Sequence, residues 1–377
     1  MAVDIGTLRH VVSSRLGRPV GDPGPWRAEA LAGLGFGASI HRISGVASEA
    51  GEDLPWSVIR KHVADTGDTE ADLRYWRREP LAYASGLLDD LAGVRAPRCY
   101  ASVETDDGIE LWLEDLASDP GPWTTQRAEV VARDLGRMNG AYTAGRPVPT
   151  YPWLSRQWLI PWVEQASAGF DELDTARDDP WIARLYSETV AERARAMWDV
   201  RHDIYRAFDT MPVVLAHLDT TQQNAFVHAG RTTLIDWAFV GLAAPGEDLA
   251  PVVGAAAIFG TALPDELPDL DRAAFAAYVA GLEEAGWRGD GRAVRFVYCA
   301  SAALRYCVGP IAFFVCGIGS DGRIAHNGGL RDPAQREAFE GMLGRPIDEI
   351  VAVGAAIHEF VMGLGAEALG LLDARRG

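Results

Sequence analysis

The chain has 377 residues, 48% of them hydrophobic and 23% charged, with a formal net charge of −18. That length accommodates two lobes with sizeable cores. With 53 acidic residues against 35 Lys+Arg, it lacks the basic surface that a phosphate backbone requires, which argues against nucleic acid as a partner.

The opening MAVDIGTLRHVV lacks the basic region and apolar core of a secretory signal. Ile5 to Leu16 reads as a short amphipathic helix, followed by a Pro/Gly-rich connector over 18–25. Gly33, Gly35 and Gly37 alternate, and Ser39 to Gly45 then alternates like a strand. A dinucleotide-binding turn would run straight into a helix. A strand after the glycines favours a β-hairpin whose backbone can lie close to phosphates.

Pro55 to Val63 is the next strand, and it carries Lys61, the sole lysine of the chain. Arginine has taken every other basic position, so this one is marked as a place that needs a compact ammonium. An acidic loop, Asp65 to Glu70, leads into a helical pattern over 71–88 that Pro80 breaks or kinks. Glu79 lies beside that break. Two strands follow, Pro97 to Val103 and Ile109 to Leu113, around the turn Asp106-Asp107-Gly108, and then a helix over Thr125 to Tyr142.

Residues 145–200 are rich in proline and tryptophan. Trp158 and Trp162 are four apart and share a helix face. They are either packing or an aromatic wall which, with Glu164, Asp171 and Glu172 nearby, can hold a cation.

The stretch from Met211 to Asp248 contains three strand-length runs: Val213–Leu218, Ala225–Ala229 and Thr233–Trp237, with Gly230-Arg231 as a hairpin turn. His217, Asp219, Asn224 and Asp236 stand at the strand ends. Two carboxylates and a carboxamide are hard oxygen ligands of the kind Mg²⁺ takes together with substrate phosphates. Beyond Ala250 the pattern is helical, near 249–260, 271–286, 291–318, 333–343 and 347–373. The strongest apolar run, Tyr306 to Ile318, falls short of the ~20 residues of a membrane span and fits a buried helix. Cys99, Cys299, Cys307 and Cys316 show no CxxC spacing. A cytoplasmic, reduced protein without structural zinc and without a membrane partner is expected.

The order His217-x-Asp219-x₄-Asn224, then Ile235-Asp236-Trp237 and Gly246-Glu-Asp-Leu-Ala250, with Lys61 and Glu79 upstream, resembles the aminoglycoside phosphotransferase and choline-kinase-like family of the protein-kinase-like fold. The resemblance implies an α+β bilobal chain. A small β-rich N-lobe would occupy 1–116, with a hinge near 113–116, and a larger, mainly helical C-lobe would occupy 117–377. ATP and Mg²⁺ are the cofactors it implies, with ATP lying between the lobes. Asp219 would be the catalytic base, and Asn224 and Asp236 would hold metal. Lys61, placed by Glu79 or, as runners-up, by Glu70 or a neighbouring acid, would clamp the phosphates beneath the hairpin of Gly35 and Gly37. Backbone groups of Glu114 and Leu116 would read adenine. His217 and Asp248 would support the catalytic loop from behind, Asp248 also being a cap for the helix that follows.

The implied reaction is transfer of the γ-phosphate to a hydroxyl of a small molecule: an aminoglycoside, a sugar or an amino alcohol. Leu218 stands where the family usually has glycine, Trp237-Ala238 replaces Phe-Gly, and Thr221 occupies the position of a lysine found in protein-serine kinases. The APE segment of protein kinases is missing. These departures favour a small-molecule acceptor. A kinase for peptide Ser/Thr hydroxyls and a nucleotide-binding pseudokinase module are the alternatives.

Overall fold

A computed structural model describes residues 3–31, 38–49, 51–116, 121–258, 261–319 and 323–376. Gly33, Gly35 and Gly37 lie outside the described residues. Contacts group the chain into two units: Met1–Leu91, Arg95–Asp119 and Thr233–Ala238 form one, and Ala92–Val94, Pro120–Thr232 and Phe239–Gly377 the other. Residues 233–238, expected with the C-terminal lobe, fall in the first unit. Side chains explain this, because the Arg78 guanidinium donates to the Ala238 carbonyl at 3.0 Å and Asp236 reaches Lys61.

In the first unit, helix Ile5–Leu16 starts at Asp4, whose carboxylate accepts the Thr7 N–H at 2.7 Å. It ends at Gly17 (φ 68), in the left-handed conformation that favours glycine at a helix end. Leu8, Val11 and Val12, spaced for one helix face, are fully buried against Ile43, Ala47, Trp56, Val58 and Trp112. Those partners belong to a five-stranded antiparallel sheet in the order Trp26–Ala30, Ala38–Glu49, Glu52–Ala64, Gly108–Glu114, Cys99–Thr105. The first of these strands was not foreseen; its Ala30 end pairs with His41.

Side chains alternate between the faces of a strand. Trp56 and Val58 therefore meet the helix, while Ile59, Lys61 and Val63 point to the other face with Ile109, Leu111 and Leu113. That second face carries Trp76 and Tyr83. The helix expected over 71–88 is confined to Arg78–Ala84. Pro80 sits at its third position, inside the first turn, where its missing N–H costs no intrahelical bond.

In the second unit, helices Thr125–Thr143 and Leu267–Glu284 pack face to face. Glycine makes the close approach possible: a Cβ at Gly281 would stand 2.0 Å from the Arg133 carbonyl oxygen. Strand Val214–Ala216 pairs antiparallel with Gly241–Ala243, which pairs parallel with Ser155–Arg156. The turn between strands Ala225–His228 and Arg231–Leu234 falls on Ala229-Gly230, one residue earlier than expected, with φ 49 and 72. Left-handed φ at both central residues matches the twist of a two-residue hairpin.

The 145–200 region resolves into helices Leu159–Glu164, Ser167–Ala176, Pro180–Leu185 and Glu188–Asp199. The helix expected over 291–318 is instead Gly291–Ala303, a π-helical turn Leu304–Val308, and Ile311–Val315 after Gly309-Pro310. By length and apolarity Gly291–Val315 and Ile347–Arg375 could each cross a membrane; the apolar window of the first is wholly buried within its unit, the place of a core helix.

Candidate active site

Three of the predicted residues meet in the first unit. The Lys61 ammonium donates to Glu79 Oε2 at 2.6 Å and to Asp236 Oδ1 at 2.9 Å. Glu79 was the expected partner among several acids, and its other oxygen accepts the Trp237 N–H at 3.4 Å. Asp236 adopts φ 62, a left-handed backbone unusual for a non-glycine residue. It follows strand Arg231–Leu234, and no local signal in the sequence foretold that turn.

Burial alone would lower the Lys61 ammonium. Asp236 and Glu79 outweigh it and hold the group above its ordinary value, so the cation persists at neutral pH. Burial raises Glu79 above the usual carboxylate range, an effect that the Lys61 charge opposes and Asp236 reinforces. Glu79 is 3% exposed in its side chain against 36% for Asp236. That difference separates a buried carboxylate from a partly exposed one.

The expected hinge lies in the same unit. Glu114 N–H is committed to the Arg98 carbonyl at 2.8 Å and its carboxylate to Arg95 at 2.7 Å. The Glu114 amide is therefore already committed within the fold. Asp115, beside it, is tied by Ser57 and by Arg42 at 2.8 Å.

The second unit holds the residues expected to form a catalytic loop. Asp219 Oδ2 accepts from Asn224 Nδ2 at 3.0 Å. Both backbone N–H groups before it end on one buried carboxylate: His217 N–H donates to Asp248 Oδ2 at 3.1 Å and Leu218 N–H to Oδ1 at 2.8 Å. His217 is fully buried, and its Nδ1 accepts the Asp219 N–H at 3.2 Å. Burial raises Asp248, while the N–H groups of Leu218 and His217 and the Asn139 amide pull the other way. Asn139 also donates to the Leu215 carbonyl at 2.8 Å and accepts the Tyr278 hydroxyl at 2.6 Å.

Leu218 itself has φ 65. A leucine held in this left-handed region carries a strain of about 1–2 kcal/mol. The side chain is 2% exposed, so apolar burial offsets that strain.

No protein-family model matches the sequence, and no curated protein matches it significantly. Among solved structures, the chain is similar to an aminoglycoside phosphotransferase from Alicyclobacillus acidocaldarius, with 14% identity, 91% of this chain and 92% of that one covered, and a TM-score of 0.52. An amicoumacin kinase solved with AMP-PNP, Ca²⁺ and Ami follows at 14% identity, 86% and 87% coverage and 0.49. A choline/ethanolamine kinase family protein from Mesorhizobium loti follows at 14%, 95% and 94%, and 0.45. The first, above 0.5, decides the fold, and at that identity it decides nothing finer. This chain has the aminoglycoside-phosphotransferase fold. It is kinase-like, with a β-sheet N-terminal region and a mostly helical remainder.

Among the described residues of this phosphotransferase fold, no group of three or more His, Cys, Asp or Glu gathers as a metal site. Mg²⁺ is also held through one or two protein oxygens together with phosphates, which requires no such group. In the first unit Asp236 is partly exposed; in the second, Asn224 turns its Nδ2 to the Asp219 carbonyl and carboxylate.

Sequence reasoning missed two arginines. Arg127 donates to the carbonyls of Gln222, at 3.2 Å, and Ala225, gripping the far end of the loop that follows Asp219. Arg305 donates to Asp219 Oδ1 at 2.8 Å. In a chain with so many arginines, neither stood out. The Gly309-Pro310 pair inside a long helical pattern was the one available hint of the second.

The aromatic question has a specific outcome. The cation over Trp158 is the protein's own Arg305, 4.3 Å from the ring centroid. Glu164 is paired with Arg201 at 2.9 Å and Glu172 with Arg331 at 2.7 Å, so both of these acids already have cationic partners.

Glu247 yields a pH prediction. Burial raises its carboxyl from 4.5 to about 7, against the Ala244 N–H that donates to it at 2.7 Å. The folded chain therefore binds this proton more tightly than the unfolded one. Stability from this group is fully present below about pH 4.5 and is lost as the pH rises through about 7. Glu247→Gln keeps an acceptor for Ala244 and should flatten the pH dependence across that window by about 3 kcal/mol. Urea unfolding of both proteins across the window is the check, and equal pH slopes would exclude Glu247 as the source.

Proposed function

We propose that the chain is an ATP-dependent phosphotransferase that moves the γ-phosphate to a hydroxyl of a small molecule, with Mg²⁺ as its metal, in the cytoplasm. The observation that carries this reading is the Lys61 ammonium held between Glu79 and Asp236 at 2.6 and 2.9 Å. A buried ammonium bridging an anchoring carboxylate and a half-open one suits a polyphosphate with its metal. A purely structural ion pair would have no need of the third group.

In this reading Lys61 clamps the phosphates and Glu79 keeps it aimed. Asp236 and Asn224 hold the metal, which supplies neutralisation of phosphate charge when bound. Asp219 accepts the proton of the acceptor hydroxyl and aligns its oxygen for in-line attack. Asp248 fixes the loop backbone through the N–H groups of His217 and Leu218. The Glu114 carbonyl and the Leu116 backbone read adenine. Fold-level likeness to a protein named as an aminoglycoside phosphotransferase supports the reaction class, and Thr221 in place of a lysine supports a small acceptor over a protein one.

The test is a phosphate-transfer screen with mass detection, run with MgATP over aminoglycosides, sugars, amino alcohols, nucleosides and Ser/Thr peptides. A small-molecule product that depends on Asp219 is the expected result. Product from peptides alone would overturn the acceptor class. No ATP turnover and no ATP binding would overturn the reaction.

A further inference from the structure

We infer that Arg305 is a positioning residue for Asp219, brought to the catalytic loop by the π-helical turn; the functional part of this inference rests on the phosphotransferase reading above. One guanidinium nitrogen donates to the Leu218 carbonyl and the other to Asp219 Oδ1 at 2.8 Å. Arg305 is 8% exposed. With Asn224 on Oδ2, the carboxylate is held from both sides. Its plane and distance from an incoming hydroxyl are set before substrate arrives.

Arg305 is itself held. Its guanidinium lies over Trp158, which is 3% exposed and stacks on Trp162 at 5.6 Å. The helical turn is widened at this point, as in the single-turn π segments often found at functional sites. The Gly309 N–H bonds the Leu304 carbonyl at 2.8 Å, five residues back. In an α-helix it would have bonded the Arg305 carbonyl. That carbonyl instead accepts the Trp162 indole N–H at 3.0 Å. A Cβ at Gly309 would stand 2.6 Å from the same indole nitrogen, so only glycine fits. Pro310 has no N–H with which to close the next α-type bond. Gly309, Pro310, Trp162 and Trp158 thus serve one geometric end, a fixed fork on Asp219. Lysine, a single point charge, cannot reproduce that fork.

The test uses the full chain and MgATP turnover with water or an acceptor from the screen. R305A should lower kcat about 10²-fold with little change in the KM for ATP, the size expected of a misplaced catalytic group. Millimolar guanidinium should restore much of the loss, and R305K should not. The D219N R305A double variant should be no slower than D219N, because the arginine acts through that carboxylate. A wild-type kcat in R305A, or a loss that guanidinium leaves unrelieved and that adds to the effect of D219N, overturns the inference. A second measurement needs no turnover: urea midpoints of R305A, D219N and the double variant. Shifts that are less than additive support the pair, and additive shifts overturn it. If the wild type neither binds nor consumes ATP, the phosphotransferase reading falls, and the urea cycle still decides whether Arg305 holds Asp219.

Discussion

Asp219→Asn is expected to lower kcat for phosphate transfer by about 10²–10⁴, the range of general-base effects, while leaving ATP affinity nearly unchanged. The substitution keeps the shape of the side chain and removes its basicity. It also has a structural cost that can be separated from the chemical one. Both carboxylate oxygens of Asp219 accept hydrogen bonds, from Arg305 at 2.8 Å and Asn224 at 3.0 Å. An asparagine has one acceptor to offer, so its NH₂ must face a donor on one side. A part-buried donor left without its partner costs about 1–3 kcal/mol. Unfolding by urea reports that loss, and nucleotide calorimetry reports whether the ATP site survives. A variant that turns over at the wild-type rate would show that Asp219 is not the base.

Lys61→Met should be costly in two separable ways. Methionine replaces most of the volume and removes the ammonium. Phosphate binding and alignment then lose their cation, and kcat/KM for ATP should fall by at least about 10², as for loss of a fixed electrostatic group. Glu79, 3% exposed, is left facing Asp236 with no countercharge. Breaking a buried pair from one side costs about 3–5 kcal/mol. The sign of the pH dependence follows from the raised carboxyl of Glu79. Its protonation relieves the destabilisation at acid pH, and the loss grows as the pH rises past its folded value. Adding Glu79→Gln to the methionine variant should recover stability and no activity. If stability is as low in the double variant as in the single one, the buried carboxylate is not the cause; if Lys61→Met consumes ATP like the wild type, Lys61 does not hold phosphate.

Local chemistry was legible where it depended on spacing along the chain. Helix Ile5–Leu16 formed over the residues its pattern marks, because one apolar face every 3.6 residues needs no distant information. The lysine strand and the face on which Lys61 lies follow from period two. Glu79 stood out as an acid next to a proline-broken helix. The Trp26–Ala30 strand escaped notice because its alternation spans only five residues, has no β-branched residue and buries no face. The helix is shorter than its pattern over 71–88 because the residues before Arg78 satisfy the same periodicity as turns.

By itself the sequence determined which groups exist for chemistry: one ammonium, the Asp219, Asn224 and Asp236 oxygens, and the strands and loops that carry them. These are properties of residue type and near-neighbour spacing. Tertiary structure alone decided three things. Asp236 joined Lys61 across 175 positions, Leu218 took a backbone angle usually left to glycine, and Arg305 closed on Asp219 from 86 residues away. Each depends on packing between segments whose separation no periodicity encodes. The last also depends on a widened helical turn, fixed by a buried indole lying against Gly309.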